Sequence, residues 1–392
     1  MNFSFEPTPA AIISIAAAVI SVAYILIFYC GRLRRVSRKA ASDDASGFMA
    51  TEDLPDVSVV VYAFDDADYL RQLLPRLLSQ EYPAPFEVIV VNEGQSDATS
   101  EVVNMLALKH HNLYLTFTPE GARNLSRKKL ALTLGVKAAR HEVIIAVDAD
   151  TRIESDHWMH RMAGHFANPE CEVVLGASRR DADDDDMRGR KFRIFDSTAD
   201  SVCWIAAALG RRPYRGTSHN LAYRRRLFFD NKGFSRSLNL RLGDDDIFVS
   251  EIARGCNTEV ELSADSLTTV LCGNPRRAYR EFRQRSIFTG RYVSKRSRLL
   301  AGSCSVAFWI WLAASVSAIA YGLPSLLPAC VVAVLAFALW IPVVLSWRPV
   351  LSAFGYRPMG LALLWYVMTR PFHTFAARLR ASSGKVHNFT WG

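Results

Sequence analysis

The sequence predicts an α/β domain with a mostly parallel sheet, joined at both ends to transmembrane helices. Strand-like and helix-like segments alternate between residues 55 and 150, which indicates a parallel sheet covered by helices on both faces. Polar residues directly follow three of the predicted strands. Long uncharged apolar runs lie toward the two ends of the chain, while the charged residues concentrate in its middle.

Each predicted element follows from a local pattern of side chains. Residues 57–63 form an apolar run typical of a buried strand, and a helix with leucines at helical spacing begins near Asp66. In parallel sheets the carboxyl ends of the strands meet at one edge, where ligands bind. We therefore expect the polar segments after residues 63, 91 and 147 to form one site. Further strands are predicted at residues 86–91, 114–117 and 143–147, and further helices at 98–109 and 128–139.

Two carboxylates, Asp148 and Asp150, follow the last of these strands. In an extended segment residues i and i+2 point to the same side, so the two side chains can converge on one point. Burying them is costly without a cation or hydrogen-bond donors, and a hard divalent cation carrying a diphosphate would satisfy them. The alternative is an Asx turn with Asp150 as a helix cap. The convergence of three polar strand ends favours the functional interpretation.

An uncharged apolar stretch at residues 10–30 is long enough to span a bilayer. The basic segment at residues 31–39 follows it, whereas a cleaved signal peptide carries its positive charge before the apolar core. We therefore predict an uncleaved anchor whose basic flank lies in the cytoplasm, together with the central domain.

Two further apolar runs, at residues 303–321 and 326–347, predict a transmembrane hairpin with both basic flanks in the cytoplasm. A third run, at residues 359–375, is interrupted by Arg370 and Pro371. It predicts an interfacial or re-entrant helix, with a fourth membrane span as the alternative. The predicted organisation is an anchor with its basic flank (1–40), a linker (41–54), the central domain (55–300), a transmembrane hairpin (301–348), and an interfacial helix with a basic cytoplasmic tail (349–392).

The net charge of +9 comes largely from basic clusters beside the apolar runs. This placement predicts contact with anionic lipid head groups. Nucleic acid is the competing partner of a basic chain, but the basic residues flank membrane segments instead of forming one motif. We therefore expect membrane lipids, and no nucleic acid, as partners.

The central domain also carries an ordered series of motifs, which includes Asn92-Glu93-Gly94, Lys128-Lys129-Leu130, Asp148-Ala149-Asp150 and Gly243-Asp244-Asp245-Asp246. Residues 57–97 resemble the opening of a family 2 glycosyltransferase with a GT-A fold, which is Rossmann-like, and the resemblance extends over roughly residues 55–300. Members show a strand ending in an acidic pair, a lysine, a D-x-D motif and a later acidic pair that holds the base. Residues 122–133 and 220–223 look typical of a membrane-anchored bacterial subgroup. The four motifs of this chain correspond to those features of the family, in the same order.

The resemblance implies that Ala63, Asn92 and Glu93 bind the nucleotide base of a nucleotide-sugar, with a UDP-sugar as the expected donor. An amide at Asn92 can still donate to and accept from a uracil edge, and the alternative is a polar turn. Lys128 is implied to contact phosphate; its alternative is a solvated helix face. Asp150 is implied to bind Mg²⁺ or Mn²⁺ directly, and Asp148 to contact ribose or the metal.

The same resemblance implies that the second acidic cluster supplies the catalytic base. We expect Asp245 in this role, with Asp244 as the second candidate, because repulsion between adjacent carboxylates can raise a proton affinity. The alternative is that Asp244 caps the following helix. His219 is a candidate acceptor-site residue. Asp181–Asp186 reads as a solvated acidic loop, with a second metal site as the alternative.

Residues 283–288 lie where processive members of the family carry Q-x-x-R-W. Gln284 matches, while Ile287 and Phe288 replace the arginine and the tryptophan, which argues against processive synthesis. Arg285 or Arg283 is expected to meet the diphosphate, and the alternative is a basic amphipathic helix on the membrane.

The sequence thus predicts a metal-dependent, inverting transferase that moves one sugar to a lipid-linked or membrane-proximal acceptor in cell-envelope glycan biosynthesis. The expected location is the bacterial inner membrane, with the catalytic domain in the cytoplasm. One alternative is a processive polysaccharide synthase. The other is a non-catalytic membrane scaffold built on a transferase domain.

Overall fold

The computed structural model describes residues 8–94, 96–118, 125–180, 189–293, 295–322 and 326–383. The predicted acidic loop at 181–186 and residues 122–124 lie outside these ranges. The strands are β1 (Val57–Ala63), β2 (Phe86–Asn92), β3 (Leu113–Phe117), β4 (Val143–Asp148), β5 (Thr151–Ile153), β6 (Val173–Gly176), β7 (Ser178–Arg180), β8 (Leu221–Arg224), β9 (Thr258–Glu261) and β10 (Thr268–Val270).

Some helices cover the faces of the sheet, and others, toward the two ends of the chain, are long and apolar. A π-helical turn at Ile25–Tyr29 joins the first two helices into one continuous segment. The helices are α1 (Pro9–Tyr24), α2 (Cys30–Ala45), α3 (Ala67–Leu78), α4 (Asp97–Ala107), α5 (Arg127–Ala138), α6 (Trp158–Gly164), α7 (Arg190–Leu209), α8 (Arg225–Asp230), α9 (Asp246–Ile252), α10 (Pro275–Thr289), α11 (Lys295–Gly322), α12 (Leu327–Ala353) and α13 (Ala362–Ser383).

The main sheet has seven strands in the order β3-β2-β1-β4-β8-β6-β9, and the predicted mostly parallel α/β fold is confirmed. Strands β3, β2, β1 and β4 are parallel, and β8 is antiparallel to both of its neighbours. The strand order reverses between β1 and β4, so a crevice opens beyond their carboxyl ends. A smaller sheet, β5-β10-β7, flanks that crevice.

Asn220 fixes the smaller sheet to the main one. Its fully buried amide donates to the carbonyls of Ala177 (2.8 Å) and Ser266 (2.7 Å) and accepts from the indole of Trp158 (3.1 Å). These partners lie next to β7 and β10 and on α6. A buried amide with all these partners is costly to replace, and it holds the adjacent His219 at the crevice.

Three helices of the described residues are long and apolar enough to cross a membrane: Pro9–Ala45, Gly302–Gly322 and Leu327–Ala353. They include the predicted anchor and hairpin. The first helix continues to Ala45, so it covers the first five residues (41–45) of the predicted linker. Helix α13 covers residues 362–375 of the predicted interfacial segment and is not among the three, so its interfacial position stays a prediction.

These three candidate membrane helices pack directly on the α/β domain. Trp347 of α12 is fully buried, donates to the Tyr29 hydroxyl (3.1 Å), and lies against the Phe195 ring of α7 (4.9 Å between centroids). At the end of α2, Asp43 and Asp44 accept from the backbone N–H groups of residues 262 (3.0 Å) and 264 (2.7 Å). Helix α7 is therefore the layer between the sheet and the membrane segments.

A buried carboxylate on α7 joins this layer to two other helices. Asp196 accepts from Arg370 Nε of α13 (2.8 Å) and from the Tyr279 hydroxyl of α10 (2.6 Å), and pairs with Arg283 Nη1 (3.3 Å). Burial alone would raise the pKa of Asp196, but Arg370 and Arg283 hold it below its ordinary value. The ionised carboxylate thus fastens α10 between α7 and α13.

We expect Asp196→Asn to destabilise the protein by about 3–5 kcal/mol, because it leaves two buried arginines without their counter-charge. The measurement is the thermal unfolding midpoint of the full chain in detergent, monitored by fluorescence-detected size-exclusion chromatography. Asp68→Asn is the matched control, since Asp68 pairs with Arg71 at the exposed surface and should have little effect. Equal midpoints for the two variants would contradict the proposed fastening role.

Candidate active site

The predicted D-x-D pair lies at the point where the strand order reverses. Asp148 is the last residue of β4 and is buried, while Asp150 is about one-third exposed. His219, from the segment before β8, places Nε2 3.1 Å from Asp150 Oδ1 and 3.9 Å from Asp148 Oδ2. One ligand atom from each residue lies within 4.8 Å of the others, so the three side chains could hold a metal ion.

The two carboxylates differ in their surroundings. Burial raises the pKa of Asp148 above its ordinary value. Burial also acts to raise the pKa of Asp150, but the charge and hydrogen bond of His219 bring it below its ordinary value. Ser218, which the sequence did not single out, donates to Asp148 Oδ2 (2.6 Å).

Lys128 connects the two predicted acidic clusters. It lies in the first turn of α5, and its Nζ is 2.6 Å from Asp148 Oδ2 and 2.8 Å from Asp244 Oδ2. Burial would lower the pKa of Lys128, but these carboxylates raise it above its ordinary value. The lysine therefore stays charged within the site, and the alternative of a solvated helix face does not describe it.

The acidic triplet begins after Gly243, whose φ of +95° lies in the left-handed region. Asp244 contacts Lys128 and Arg285 (3.1 Å from Nη2). Despite its burial, both cations hold the pKa of Asp244 far below its ordinary value. Its proton affinity is thus lowered, contrary to the expectation from repulsion between neighbouring carboxylates.

Asp245, not Asp244, caps the following helix. Its Oδ1 accepts from Asp246 N (2.6 Å) and from Arg285 Nη2 (2.5 Å), and its Oδ2 accepts from Ser218 N (3.1 Å). A carboxylate can accept about four hydrogen bonds, so Oδ2 keeps capacity for another donor. Among the described residues, Asp245 therefore combines the capping position with an oxygen that can accept a proton.

Asp246 points away from the D-x-D pair. It accepts from Arg215 Nε (2.6 Å) and from the Thr289 hydroxyl (2.7 Å), and burial raises its pKa to about 6. Arg215 also pairs with Asp200 of α7 (2.7 Å). This third carboxylate thus connects α9 to α7 and α10.

The predicted base-binding residues lie together at the adjacent ends of β1 and β2. Ala63 pairs with Asn92, and its carbonyl accepts from Glu93 N (2.8 Å). The Asn92 amide is fully buried and donates to Ser96 O (3.0 Å) and Ser100 Oγ (3.1 Å), so it holds the turn after β2.

Glu93 belongs to the network around Lys128. Its carboxylate accepts from the Tyr62 hydroxyl (2.5 Å) and lies 3.4 Å from Arg127 Nε. The Tyr62 ring in turn lies 5.1 Å from Lys128 Nζ. Tyr62 thus joins the predicted base-binding turn to the D-x-D region.

Helix α10 carries the residues from the Q-x-x-R-W position. Arg285 enters the site and contacts both Asp244 and Asp245, while Gln284 is exposed and lines a wide cleft of about 870 Å³. The same cleft is lined by Asp148, Asp150 and His219. The structure thus brings the D-x-D pair, Lys128, the acidic triplet and Arg285 into one connected site.

Comparison with known proteins agrees with this geometry. Residues 58–243 match the sequence model of glycosyl transferase family 2. This chain carries a family 2 glycosyl transferase domain. The match ends immediately before Asp244, so the acidic triplet and α10 lie beyond it.

The chain is also similar to curated proteins over about a third of its length. Poly-beta-1,6-N-acetyl-D-glucosamine synthase from Staphylococcus epidermidis is 28% identical over 124 residues, covering 31% of this chain and 28% of that protein. A Bacillus subtilis protein named "Probable glycosyltransferase YdaM" is 29% identical over 131 residues, covering 33% of this chain and 30% of that protein. The chain therefore spans less than a third of the length of these relatives.

A solved structure resembles the fold over almost the whole chain. The mannosyltransferase PcManGT from Pyrobaculum calidifontis, in complex with GDP-Man and Mn²⁺, covers 95% of this chain and 99% of its own. The TM-score is 0.57 at 20% sequence identity. This likeness of fold covers helices outside residues 58–243 as well as the α/β domain.

Lys129, beside Lys128, supports the site from within the family 2 domain. Its fully buried Nζ donates to the carbonyls of Ser237 (2.6 Å), Leu240 (3.1 Å) and Leu242 (2.9 Å). Burial lowers its pKa to about 8. Lys129 thus holds the loop that leads into the acidic triplet.

We expect Lys129→Met to destabilise the protein by about 2–4 kcal/mol, since three buried carbonyls lose a charged donor. The thermal unfolding midpoint in detergent measures the loss. Lys137→Met, on the exposed end of the same helix, is the control. A Lys129→Met variant as stable as this control would show that the loop does not depend on the lysine.

Proposed function

We propose that this protein transfers a single sugar, with inversion, from a nucleotide-sugar to a lipid-linked or membrane-proximal acceptor. The observation that carries this proposal is Lys128, which joins Asp148 of the D-x-D motif to Asp244 of the second acidic cluster. A nucleoside diphosphate and a metal would bind beside this cation, and a base candidate lies next to it. We propose a UDP-sugar as the donor; the fold relative PcManGT was solved with GDP-Man.

Asp148, Asp150 and His219 would hold the metal, because their ligand atoms already lie within 4.8 Å of one another. Imidazole nitrogen suits transition metals, so this set favours Mn²⁺ over Mg²⁺. When bound, the metal would neutralise the diphosphate leaving group. Lys128 and Arg285 would add positive charge on the same side.

Asp245 is the proposed base, with Asp244 as the second candidate. Asp245 Oδ2 accepts only from Ser218 N among the described residues, whereas Asp244 is closed in by Lys128 and Arg285. Asp245 would take the proton of the acceptor hydroxyl, while the cap and the Arg285 contact keep its carboxylate in place.

The membrane helices favour an acceptor at the membrane. Helix α10, which carries Arg285, is fastened to α7 and α13 through Asp196. We propose that the basic flank after residue 30 lies in the cytoplasm, and with it the catalytic domain, in a bacterial inner membrane. Helix α13 would lie at the interface.

Loss of any one ligand should weaken metal binding in the full chain. Asp150→Asn and His219→Ala should each lower Mn²⁺ affinity at least about tenfold, which corresponds to roughly 1.4 kcal/mol. Titration of free Mn²⁺ by electron paramagnetic resonance measures this without any turnover. Asp156→Asn, at an exposed ion pair with Arg76, is the control. If the His219→Ala variant bound Mn²⁺ with the affinity of the wild type, His219 would not be a metal ligand.

Purified protein with Mn²⁺ and a panel of nucleotide-sugars should release UDP or GDP, and membrane extract supplying acceptor should raise the rate. Asp150→Ala and Asp245→Ala should each lower turnover at least about a hundredfold, because the first removes a proposed metal ligand and the second removes the proposed base. Full turnover in both variants would contradict the assignments. Absence of turnover in the wild type would favour the scaffold alternative.

A second candidate is a processive polysaccharide synthase, which the names of the curated relatives favour. Ile287 and Phe288 at the Q-x-x-R-W position argue against it. The length of the product in the same assay separates the two, because a single addition lengthens the acceptor by one sugar and processive synthesis gives long products.

A further inference from the structure

A second cavity lies where the candidate membrane helices meet α7 and α13. Its volume is about 60 Å³ for water centres, and its wall is formed by α2, α7, α11, α12, α13 and the π-helical turn at Ile25–Tyr29. Among the described residues, it shares no lining side chain with the wide cleft that contains Asp148 and Asp150. The cavity is therefore separate from the proposed site of the nucleotide-sugar.

The cavity lies at the level where the apolar runs of the membrane helices end. Arg32 lines it just after the apolar run at residues 10–30, and Ser305 lines it near the start of the run at 303–321. The basic flanks of these runs predict that this level is the cytoplasmic surface of the membrane. The phosphate groups of membrane lipids lie at the same depth, and basic pockets between membrane helices on this side bind lipid head groups.

Two arginines, and no acidic residue, are among the described residues that line the cavity. Arg32 comes from α2 and Arg370 from α13. Arg370 donates through Nε to Asp196 (2.8 Å), and its two Nη nitrogens have no hydrogen-bond acceptor within the described part of the chain. A guanidinium fork of this kind matches the oxygens of a phosphate group.

The nearby carboxylates are shared among several arginines. Asp196 pairs with Arg283 (3.3 Å) as well as with Arg370, and Asp200, one turn further along α7, pairs with Arg215 (2.7 Å). Positive charge at the cavity is therefore only partly balanced by the protein. A buried cation without enough counter-charge is costly, so an anion in the cavity would stabilise this region.

Two hydroxyl groups in the wall can add donors. The Tyr29 hydroxyl accepts from the indole of Trp347 (3.1 Å), and the Thr374 hydroxyl accepts from Arg283 Nη2 (3.2 Å). A hydroxyl that accepts one hydrogen bond still has its own proton to donate. The donors in the wall therefore suit an occupant with several acceptor oxygens.

The rest of the wall is apolar and continues outside the cavity. A volume of about 60 Å³ for water centres holds roughly four waters, which leaves room for a phosphate group but places an acyl chain outside. Phe372 and Phe375 on α13, beside lining residues, are about half exposed and offer such a chain apolar surface. A free inorganic anion would gain nothing from this surface. The apolar lining residues include Ile25, Phe308, Leu339, Trp340, Val343 and Val367.

We propose that this cavity binds the phosphate group of an anionic phospholipid, whose acyl chains lie along the outer surface of α11, α12 and α13. The lipid is a bound component of the folded protein and not the acceptor, because its site is separate from the cleft. Its phosphate lies beside Arg370, and through Arg370 it supports the Asp196 cluster that fastens α10.

The test is binding of phosphatidylglycerol to the full chain in detergent, measured by native mass spectrometry. Arg32→Gln should weaken binding of one phosphatidylglycerol at least about tenfold, because it removes a cation from the site. Ser305→Phe fills the cavity without removing an arginine and should cause a similar loss. The matched controls are Arg34→Gln, an exposed arginine of the same helix, and Val306→Phe, an exposed neighbour outside the lining. Both should bind like the wild type.

Three further measurements define the occupant. Phosphatidylcholine, which has no net charge, should bind more weakly than phosphatidylglycerol. Inorganic phosphate at millimolar concentration should not displace phosphatidylglycerol, because it lacks the acyl chains. Mn²⁺ affinity should be the same in all four variants and the wild type, which also shows that the variants are folded.

Several results would overturn the proposal. An equal loss in Arg34→Gln and Arg32→Gln would indicate diffuse attraction to the basic flank. Full binding in Ser305→Phe would place the lipid elsewhere, and displacement by inorganic phosphate would indicate a site for free phosphate. Equal binding of phosphatidylcholine, or transfer of a sugar onto the bound lipid, would also contradict it. Failure of the proposed function has a different signature, since nucleotide and Mn²⁺ binding would then be absent while phosphatidylglycerol still bound.

Discussion

The site depends on one buried cation. Lys128 lies between the carboxylates of Asp148 and Asp244, which come from distant parts of the chain. Two buried carboxylates would repel each other strongly without it, and removing one partner of such a group is costly. The next residue, Lys129, donates hydrogen bonds to backbone carbonyls of the loop before Gly243 and so holds that loop against α5. Two successive lysines at the start of α5 thus assemble the two halves of the site.

This constraint extends to the membrane helices. Arg285 contacts the acidic triplet from α10, and the same helix is fastened through Asp196 to α7 and α13. Helix α7 packs against the candidate membrane helix α12 on one side and lines a small cavity beside Asp245 on another. The position of this cavity therefore depends on a helix that also packs against the candidate membrane helices.

Local patterns in the sequence predicted the first half of the fold well. The strands that end at Ala63, Asn92 and Asp148 are where apolar runs and polar ends placed them, because a buried parallel strand reads as a continuous apolar segment. The antiparallel insertion of β8 between β4 and β6 was not predicted, since an apolar run carries no information about strand direction. The sequence also predicted Asp244 as the alternative helix cap, but Asp245 has this role because α9 begins at Asp246.

By itself the sequence determined the α/β class, the membrane helices, and the residue types at the edge of the sheet. It did so because periodicity and apolar length are local properties. Only the tertiary structure decided that His219 joins Asp150, that Ser218 contacts Asp148, and that α7 lines a cavity beside Asp245. Those contacts join segments far apart in the chain, and their distances depend on how β8, α7 and α10 pack around the sheet.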